Sequence, residues 1–463
     1  METITAISTP VGIGGLGIIR ISGPRAFSII REIFISKKYG KKFLPKNLPT
    51  HTLYFGFLVC RGKKIDEVLL SIFKSPHSYT GEDTVEVTCH GGALVMENAL
   101  SAILATGKAR LAEQGEFTKK AFLNDRIDLI QAEAVSDIIE ARTSSALDAA
   151  VSQLQGHLSE KINSFKESLL HLLSDIEAKI EFPEDLAESE TRDQNKALRK
   201  KIRDLLKNIT SLIQTFDAGE QLRQGINVVI VGAPNSGKST LLNSLLGFER
   251  AIVTSVPGTT RDFLKESLFL EGALVNFIDT AGMRKARDII EKKGVSLTRK
   301  SIQDSTIALH VVDGSQRLTA DDWQVARELK DIKNKILVIN KKDKKKHPSI
   351  RHGLPGYRTF FRISAKKGQG VEDIKKEIVK TLKRSEVRYD ARKTILTNVR
   401  HRNELGRCRE EIEKTLFSLK PLTPEDIISQ GIKNALHHLN NLSGATTPDD
   451  VLNRIFSRFC IGK

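Results

Sequence analysis

One segment carries residue types and spacing suited to phosphate chemistry: Gly232-Ala233-Pro234-Asn235-Ser236-Gly237-Lys238-Ser239, a full GxxxxGK[ST] run followed by Thr240. Its glycines let backbone N–H groups close around a phosphate, Lys238 places a cation between the β- and γ-phosphates, and the Ser239 hydroxyl is positioned for Mg²⁺. The apolar run NVVIVGA before it and STLLNSLLG after it predict a strand and a helix, the setting such a loop requires. A chance glycine-rich turn has no reason to lie between those two elements.

The nucleotide is chosen further on. Asn340-Lys341-Lys342-Asp343 closes the apolar run KILVIN, and an aspartate carboxylate there accepts from guanine N1–H and its exocyclic amine. Adenine lacks that donor pair and would leave the carboxylate unpaired. The lysine run continues through 344–346 and alone would read as solvated surface. Ser364-Ala365-Lys366 follows at the next strand end, where small residues and backbone N–H groups can meet a base. Asp279-Thr280-Ala281-Gly282 follows VNFID; Asp279 suits a water-mediated Mg²⁺ contact and the Gly282 N–H a γ-phosphate. Pro257-Gly258-Thr259-Thr260-Arg261-Asp262 lies where a loop could bring a threonine hydroxyl to the metal. Four motifs in this order predict a GTPase domain. Met283 stands where small signalling GTPases place the glutamine that orients the attacking water, and a thioether cannot do so. Asn235 is a candidate to hold a monovalent cation beside the phosphates, although an Asn there also reads as a turn residue. Glu291 is a candidate to orient the water through a second water molecule.

These motifs need elements to hold them. From about Ile4 to Arg110 the runs ITAIS, LGIIRIS, TLYFGFLV, EVLLSIF and TVEVTC predict strands, with helices at PRAFSIIREIF and GGALVMENALSAILAT, an α+β domain. From Thr118 apolar residues recur at three- and four-residue spacing through AFLNDRIDLIQAEAVSDIIEARTSSALDAAVSQL, SEKINSFKESLLHLLSDIEAKI and, after a polar breaker PEDLAESETRDQ, NKALRKKIRDLLKNITSLIQTF. That spacing predicts packed helices. From Gln221 strands NVVIVGA, NFIDT, IALHVVD, KILVIN and YRTFFRIS alternate with amphipathic stretches, which predicts a parallel sheet covered on both faces. From about Glu386 the chain is helical again, so an α/β domain interrupts a helical one.

The 463 residues suit about three domains. With 73 Lys+Arg over 56 Asp+Glu, a formal +17, the chain favours anionic partners without naming one. Cys60, Cys89, Cys408 and Cys460 lie far apart without metal-ligand spacing, which fits a reducing, cytosolic setting. No apolar run reaches the length of a membrane helix, and METITAISTP lacks the features of a signal or transit peptide. Cys460-Ile461-Gly462-Lys463 has the outline of a prenylation box that Gly462 and Lys463 fit poorly. Gly12-Ile13-Gly14-Gly15-Leu16-Gly17 satisfies GxGxxG, yet a strand follows it instead of a helix, so a glycine hairpin or binding loop is expected. His90-Gly91-Gly92 suggests an esterase oxyanion loop, but the chain has no GxSxG elbow and acyl transfer is discarded.

GIGGLGIIRISG, SYTGEDTVEVTCHGG, GEFTKKAFLNDRIDLIQAEAVSDII, GAPNSGKST, PGTTRD, DTAG and Phe459-Cys460-Ile461-Gly462-Lys463 together resemble, over the whole chain, the MnmE (TrmE) family of tRNA modification GTPases. The resemblance implies a multidomain fold: an α+β tetrahydrofolate-binding and dimerisation domain over 1–121, an all-α domain in two segments at 122–220 and 385–463, and an α/β P-loop GTPase domain inserted at 221–384. It implies K⁺-stimulated GTP hydrolysis that depends on G-domain dimerisation. It further implies work in a heterotetramer with the flavoprotein MnmG on C5 of the wobble uridine of certain tRNAs, adding a (carboxymethyl)aminomethyl group from a reduced folate such as 5-formyltetrahydrofolate. Carried over residue by residue, GTP falls to Asn235, Ser236, Gly237, Lys238, Ser239, Thr240, Thr254, Ser255, Val256, Pro257, Gly258, Thr259, Thr260, Asp279, Thr280, Ala281, Gly282, Asn340, Lys341 and Asp343, with Ser364, Ala365 and Lys366 at the base. Mg²⁺ falls to Ser239 and Thr260, K⁺ to Asn235, Thr254, Val256 and Thr259, catalysis to Glu291, Lys238 and Asn235, and the folate to Arg20, Glu82, Arg126 and Lys463. Arg126 stands where many members carry Lys, which keeps charge and changes hydrogen-bond geometry. Cys460 either does chemistry or packs. A ribosome-assembly or RNA-binding GTPase switch would share PGTTRD and DTAG, and residues 1–121 with Lys463 discriminate against it. A membrane-surface GTPase would need a basic amphipathic anchor that the chain lacks.

Overall fold

The computed structural model describes residues 2–10, 12–40, 49–181, 188–247, 265–279, 305–350, 354–385, 394–419 and 423–463. Two compact units are present: residues 1–139, 151–209 and 404–463 form one, and residues 140–150 and 210–403 the other.

In the first unit, β1 (Ile4–Ile7) and β2 (Leu16–Ser22) form an antiparallel hairpin, with Ile7 opposite Ile19 and the Ser8 N–H donating to Ile18 O at 2.8 Å. The glycine run is the turn of that hairpin, as expected, and no dinucleotide unit follows. After α1 (Ala26–Ile33) come β3 (Phe34–Ser36), β4 (Thr52–Cys60), β5 (Lys63–Phe73), β6 (Thr84–His90), α2 (Ala93–Leu104) and β7 (Arg110–Leu111). The sheet runs β3-β4-β5-β6-β2-β1-β7, antiparallel except for the β1–β7 pair. Period-2 alternation turns Ile19, Ile21, Leu70, Ile72, Val85 and Val87 into one core with Ile29, Ile30 and Met96 of the two helices. Arg20, Ser22, Thr84 and Glu86 therefore share the other face.

The single long stretch expected after Thr118 is three helices: α3 (Glu116–Leu123), α4 (Leu129–Glu140) and α5 (Ser144–Leu154). Asp125, at φ 55, turns the chain left-handed between the first two, a conformation that Asp tolerates better than most residues. α6 (His157–Glu181) and α7 (Glu188–Ile213) follow. The polar segment ESETRDQ, expected as a breaker, is instead the opening of α7, since it contains neither Gly nor Pro.

In the second unit, after α8 (Phe216–Gln224), a contiguous run supplies β8 (Ile226–Val231), α9 (Lys238–Leu246), β9 (Lys265–Leu270), β10 (Ala273–Asp279), β11 (Ile307–Asp313), α10 (Ala320–Glu328), β12 (Lys335–Asn340), β13 (Thr359–Arg362) and α11 (Val371–Ser385). The order is β13-β12-β11-β8-β10-β9, parallel apart from the antiparallel edge strand β9. Successive residues of β8 face opposite cores: Val228 and Ile230 pack with Leu241, Ile374 and Ile378, while Val229 and Val231 pack with Leu329. That two-sided burial is why the strand is apolar throughout. β8, β10, β11 and β12 all end at one edge of the sheet, the edge where open parallel sheets bind ligands. α12 (Val399–Ser418) spans both units, and α13 (Glu425–Ser443) and α14 (Asp449–Phe456) belong to the first. There α13 packs along α6, and Leu452, Phe456 and Phe459 join Leu129 and Ala132 in one core.

Candidate functional site

Between β8 and α9 the backbone turns through Asn235 at φ 59 and Gly237 at φ 97. A Cβ on Gly237 would lie 2.2 Å from Asn340 Nδ2, so this glycine is required both for its conformation and for the approach of β12's last residue. Lys238 is buried and its Nζ donates to Gly232 O (3.0 Å) and Ala233 O (2.8 Å), so its ammonium rests over the loop. The Ser236 hydroxyl is buried there with no hydrogen-bond partner among the described residues. A concave turn holding a buried cation and an orphaned hydroxyl at a helix N-terminus fits a bound phosphate chain.

Asn340 fastens this loop to the next. Its Nδ2 donates to Ser236 O (3.0 Å) and its Oδ1 accepts from the Ala365 N–H (3.0 Å), while only 3% of the residue is exposed. Ser364 Oγ donates to Asp343 Oδ1 at 2.6 Å. That bond and a backbone N–H hold the Asp343 carboxyl below the usual carboxylate range, so it stays an acceptor, the state a guanine edge requires. Lys341, at φ 64, donates to Asn235 O (2.9 Å) and to Asp313 Oδ2 (2.6 Å). Burial raises the Asp313 pKa, but the hydrogen bonds from Lys341 and Ser315 outweigh it and the net shift is downward. Residue-type reasoning missed Asp313; its position at the end of β11, beside Gly314, was the available signal.

Ser239 and Thr240 open α9 and are exposed, as is Asn235, and Lys366 is exposed beside the base loop. Thr254, Ser255, Val256, Pro257, Gly258, Thr259, Thr260, Thr280, Ala281, Gly282, Met283 and Glu291 lie outside the described residues. Of Asp279 only the backbone, at the end of β10, is described.

In the first unit, two of the other four expected residues, Arg20 and Arg126, lie over Tyr79. The Arg20 and Arg126 guanidinium carbons lie 5.1 and 5.3 Å from that ring's centre, and Arg126 also donates to Tyr79 O at 2.8 Å. Arg20 forks onto Glu86 Oε1 (2.7 and 2.9 Å) and reaches Gly462 O (3.2 Å). Lys463 is near enough that burial and then the Arg20 charge draw its pKa below the usual lysine value. A Cβ on Gly462, at φ 93, would meet Ile7 O at 2.5 Å, so the segment before Lys463 lies directly on β1. Glu82 takes hydrogen bonds from Lys120 Nζ (2.8 and 3.0 Å) and Ser22 Oγ (2.9 Å). Two guanidinium groups over an aromatic ring, with a lysine ammonium near one of them and carboxylates alongside, suit a ligand that is planar at one end and anionic at the other. Tyr79, Glu86 and Lys120 went unassigned in the sequence. Cys460 is a free, exposed cysteine.

A six-stranded, mostly parallel sheet whose first βα loop holds a buried lysine, tied through Asn340 to a guanine-type base loop, defines a P-loop GTPase. Residues 3–126 match the family described as GTP-binding protein TrmE N-terminus, and residues 129–460 match the MnmE helical domain. The chain is 42% identical to the tRNA modification GTPase MnmE of Syntrophus aciditrophicus, covering 100% of this chain and 99% of that protein. It is 40% identical to that of Acetivibrio thermocellus, with 100% and 99% covered, and 38% identical to that of Cytophaga hutchinsonii, with 100% and 98% covered. The chain belongs to the MnmE (TrmE) family of tRNA modification GTPases.

Proposed function

We propose that the chain is a K⁺-stimulated GTPase that acts with the flavoprotein MnmG on C5 of the wobble uridine of certain tRNAs, using a one-carbon unit from a reduced folate. The observation that carries the GTP half is the double hydrogen bond of Asn340, which makes the phosphate loop and the base loop one rigid receptor. In this reading Lys238 leaves the loop carbonyls for the β- and γ-phosphates, the backbone N–H groups of 235–240 line the phosphate chain, and Asp343 reads the guanine edge. Mg²⁺, held by Ser239 and Thr260, supplies charge neutralisation when bound. Asn235 takes K⁺ together with Thr254, Val256 and Thr259, and Glu291 orients the water. The remaining nucleotide contacts fall to Ser255, Pro257, Gly258 and the 279–282 and 364–366 segments.

For the folate, Arg20, Arg126 and Lys463 offer the cations that a polyanionic tail needs, and Glu82 offers a carboxylate for ring N–H groups. Residues 1–121, 122–220 with 385–463, and 221–384 are the folate, helical and GTPase domains. Leu53 (68% exposed) shares a sheet face with the directly paired Phe55 and Leu69, 45% and 42% exposed, an apolar surface that supports homodimerisation through the N-terminal domain. No helix among the described residues is long and apolar enough to cross a membrane, which fits a cytoplasmic setting. Exchanging KCl for NaCl at constant ionic strength tests the cation role. GTP turnover should fall sharply, and equal rates would remove K⁺ from the mechanism.

A further inference from the structure

Between 196 and 207, α7 carries six cations, Lys196, Arg199, Lys200, Lys201, Arg203 and Lys207, against the single acid Asp204. Leu198, Ile202, Leu205 and Ile209 of the same helix are buried, so its orientation is fixed. At 3.6 residues per turn, Lys196, Lys200, Arg203 and Lys207 fall on one line along the opposite face, which spans about 16 Å. Lys200, Arg203 and Lys207 are exposed and take no ion-pair partner among the described residues; Lys201, off that line, pairs with Asp175 at 3.0 Å. The other basic helices differ. On α11, α12 and α13 most of the cations stand beside carboxylates, Lys375 with Glu372, Lys380 with Glu377, Arg407 with Glu404, Lys414 with Glu411 and Lys433 with Glu177, and among the described exposed ones Lys376 is a single exception rather than part of a line. A solvated helix face commonly interleaves both signs, because paired charges repel less. The α7 stripe keeps like charges in line, an arrangement that costs repulsion in isolation and is relieved by a row of anions at matching intervals.

We infer that this face of α7 contacts the phosphate backbone of the tRNA, giving affinity and orientation without base readout. The inference rests on the reading of tRNA as partner. Such contacts displace condensed counterions, so each one contributes to the salt dependence of binding. An anionic membrane is less favoured, because the apolar side of α7 is already buried in its own unit and cannot enter a bilayer.

The test uses the full chain and unfractionated tRNA, with binding measured between about 50 and 200 mM salt. Replacing Lys200→Ala, Arg203→Ala and Lys207→Ala together should weaken binding roughly tenfold and flatten the log–log salt slope by about 2–3. Restoring charge with Lys200→Arg and Lys207→Arg in otherwise unaltered protein should keep both affinity and slope, and GTP turnover without tRNA should be unchanged in all variants. A triple variant that keeps the parent's affinity and slope overturns the inference, as does one that loses affinity at an unchanged slope. If the unaltered protein binds no tRNA, the reading of tRNA as partner falls first and takes this surface with it. Binding to phosphatidylserine vesicles that the triple variant abolishes, with tRNA binding untouched, would reassign the stripe.

Discussion

Asn340→Ala tests the claim that one side chain couples the phosphate and base loops. The substitution strips partners from two buried backbone groups, Ser236 O and the Ala365 N–H, each at 3.0 Å from the amide, in residues 1% and 5% exposed. An unsatisfied buried group costs about 1–3 kcal/mol, so two cost about 2–4 kcal/mol once water reaches the loop edge. If the bound nucleotide must restore that order, GDP affinity drops roughly 30- to 1,000-fold, at 1.4 kcal/mol per decade. Titration with a fluorescent GDP analogue reads the affinity, and thermal melting reads the unit's stability. Asn340→Asp separates the two bonds: its carboxylate still accepts from Ala365 but faces Ser236 O with an acceptor, so it should lose about as much on the phosphate side alone. A parent-like melt and GDP binding within threefold of the parent in Asn340→Ala would refute the coupling.

His310, wholly buried in β11 with Nδ1 2.6 Å from the Tyr357 hydroxyl, has its pKa pushed down by burial to about 4. The unfolded chain therefore binds the extra proton first, stability rises with pH between about 4 and 6.5, and His310→Gln should remove roughly 3 kcal/mol of that acid-side slope; parallel pH–stability curves for parent and variant would rule this out. Tyr79→Leu removes the ring beneath Arg20 and Arg126 and should weaken 5-formyltetrahydrofolate binding about tenfold by calorimetry, from two cation–π contacts of about 0.5–1 kcal/mol each. Unchanged binding there would place the folate elsewhere, whereas GTP turnover should not respond.

Where periodicity alone decides an element, the residues announced it. The continuous apolar runs of β8, β11 and β12 could only be strands buried on two faces, and the phosphate loop between β8 and α9 followed from that context. Local exceptions were less legible. Phe34–Ser36 continues the apolar text of α1 yet leaves the helix to pair with β4, because tertiary pairing overrides weak propensity. The break at Asp125 depends on one left-handed residue inside an unbroken helical pattern. In the nucleotide site, motif spacing identified the backbone cradle and the base reader. Asp313 escaped because its role arises only when Lys341 folds back across the strand ends. Around Arg20, residues from 79 to 463 converge through packing that no local pattern encodes. The loop residues 254–260 and 280–282, with Glu291, lie outside the described residues.

The division of the chain also bears on how it comes to be folded. The parallel sheet between Ile226 and Arg362 draws on one uninterrupted stretch, so its pairings close as soon as that stretch has left the ribosome. The other unit cannot finish then: Leu129 and Ala132 wait for Leu452, Phe456 and Phe459, and β1 waits for Gly462. Contacts across more than three hundred residues form late, because loop closure over such spans is slow to be rewarded. A nascent chain therefore holds a completed nucleotide-binding unit beside helices α4 and α6 whose apolar faces still lack their partners, and the exposed intermediate is the one a chaperone would meet.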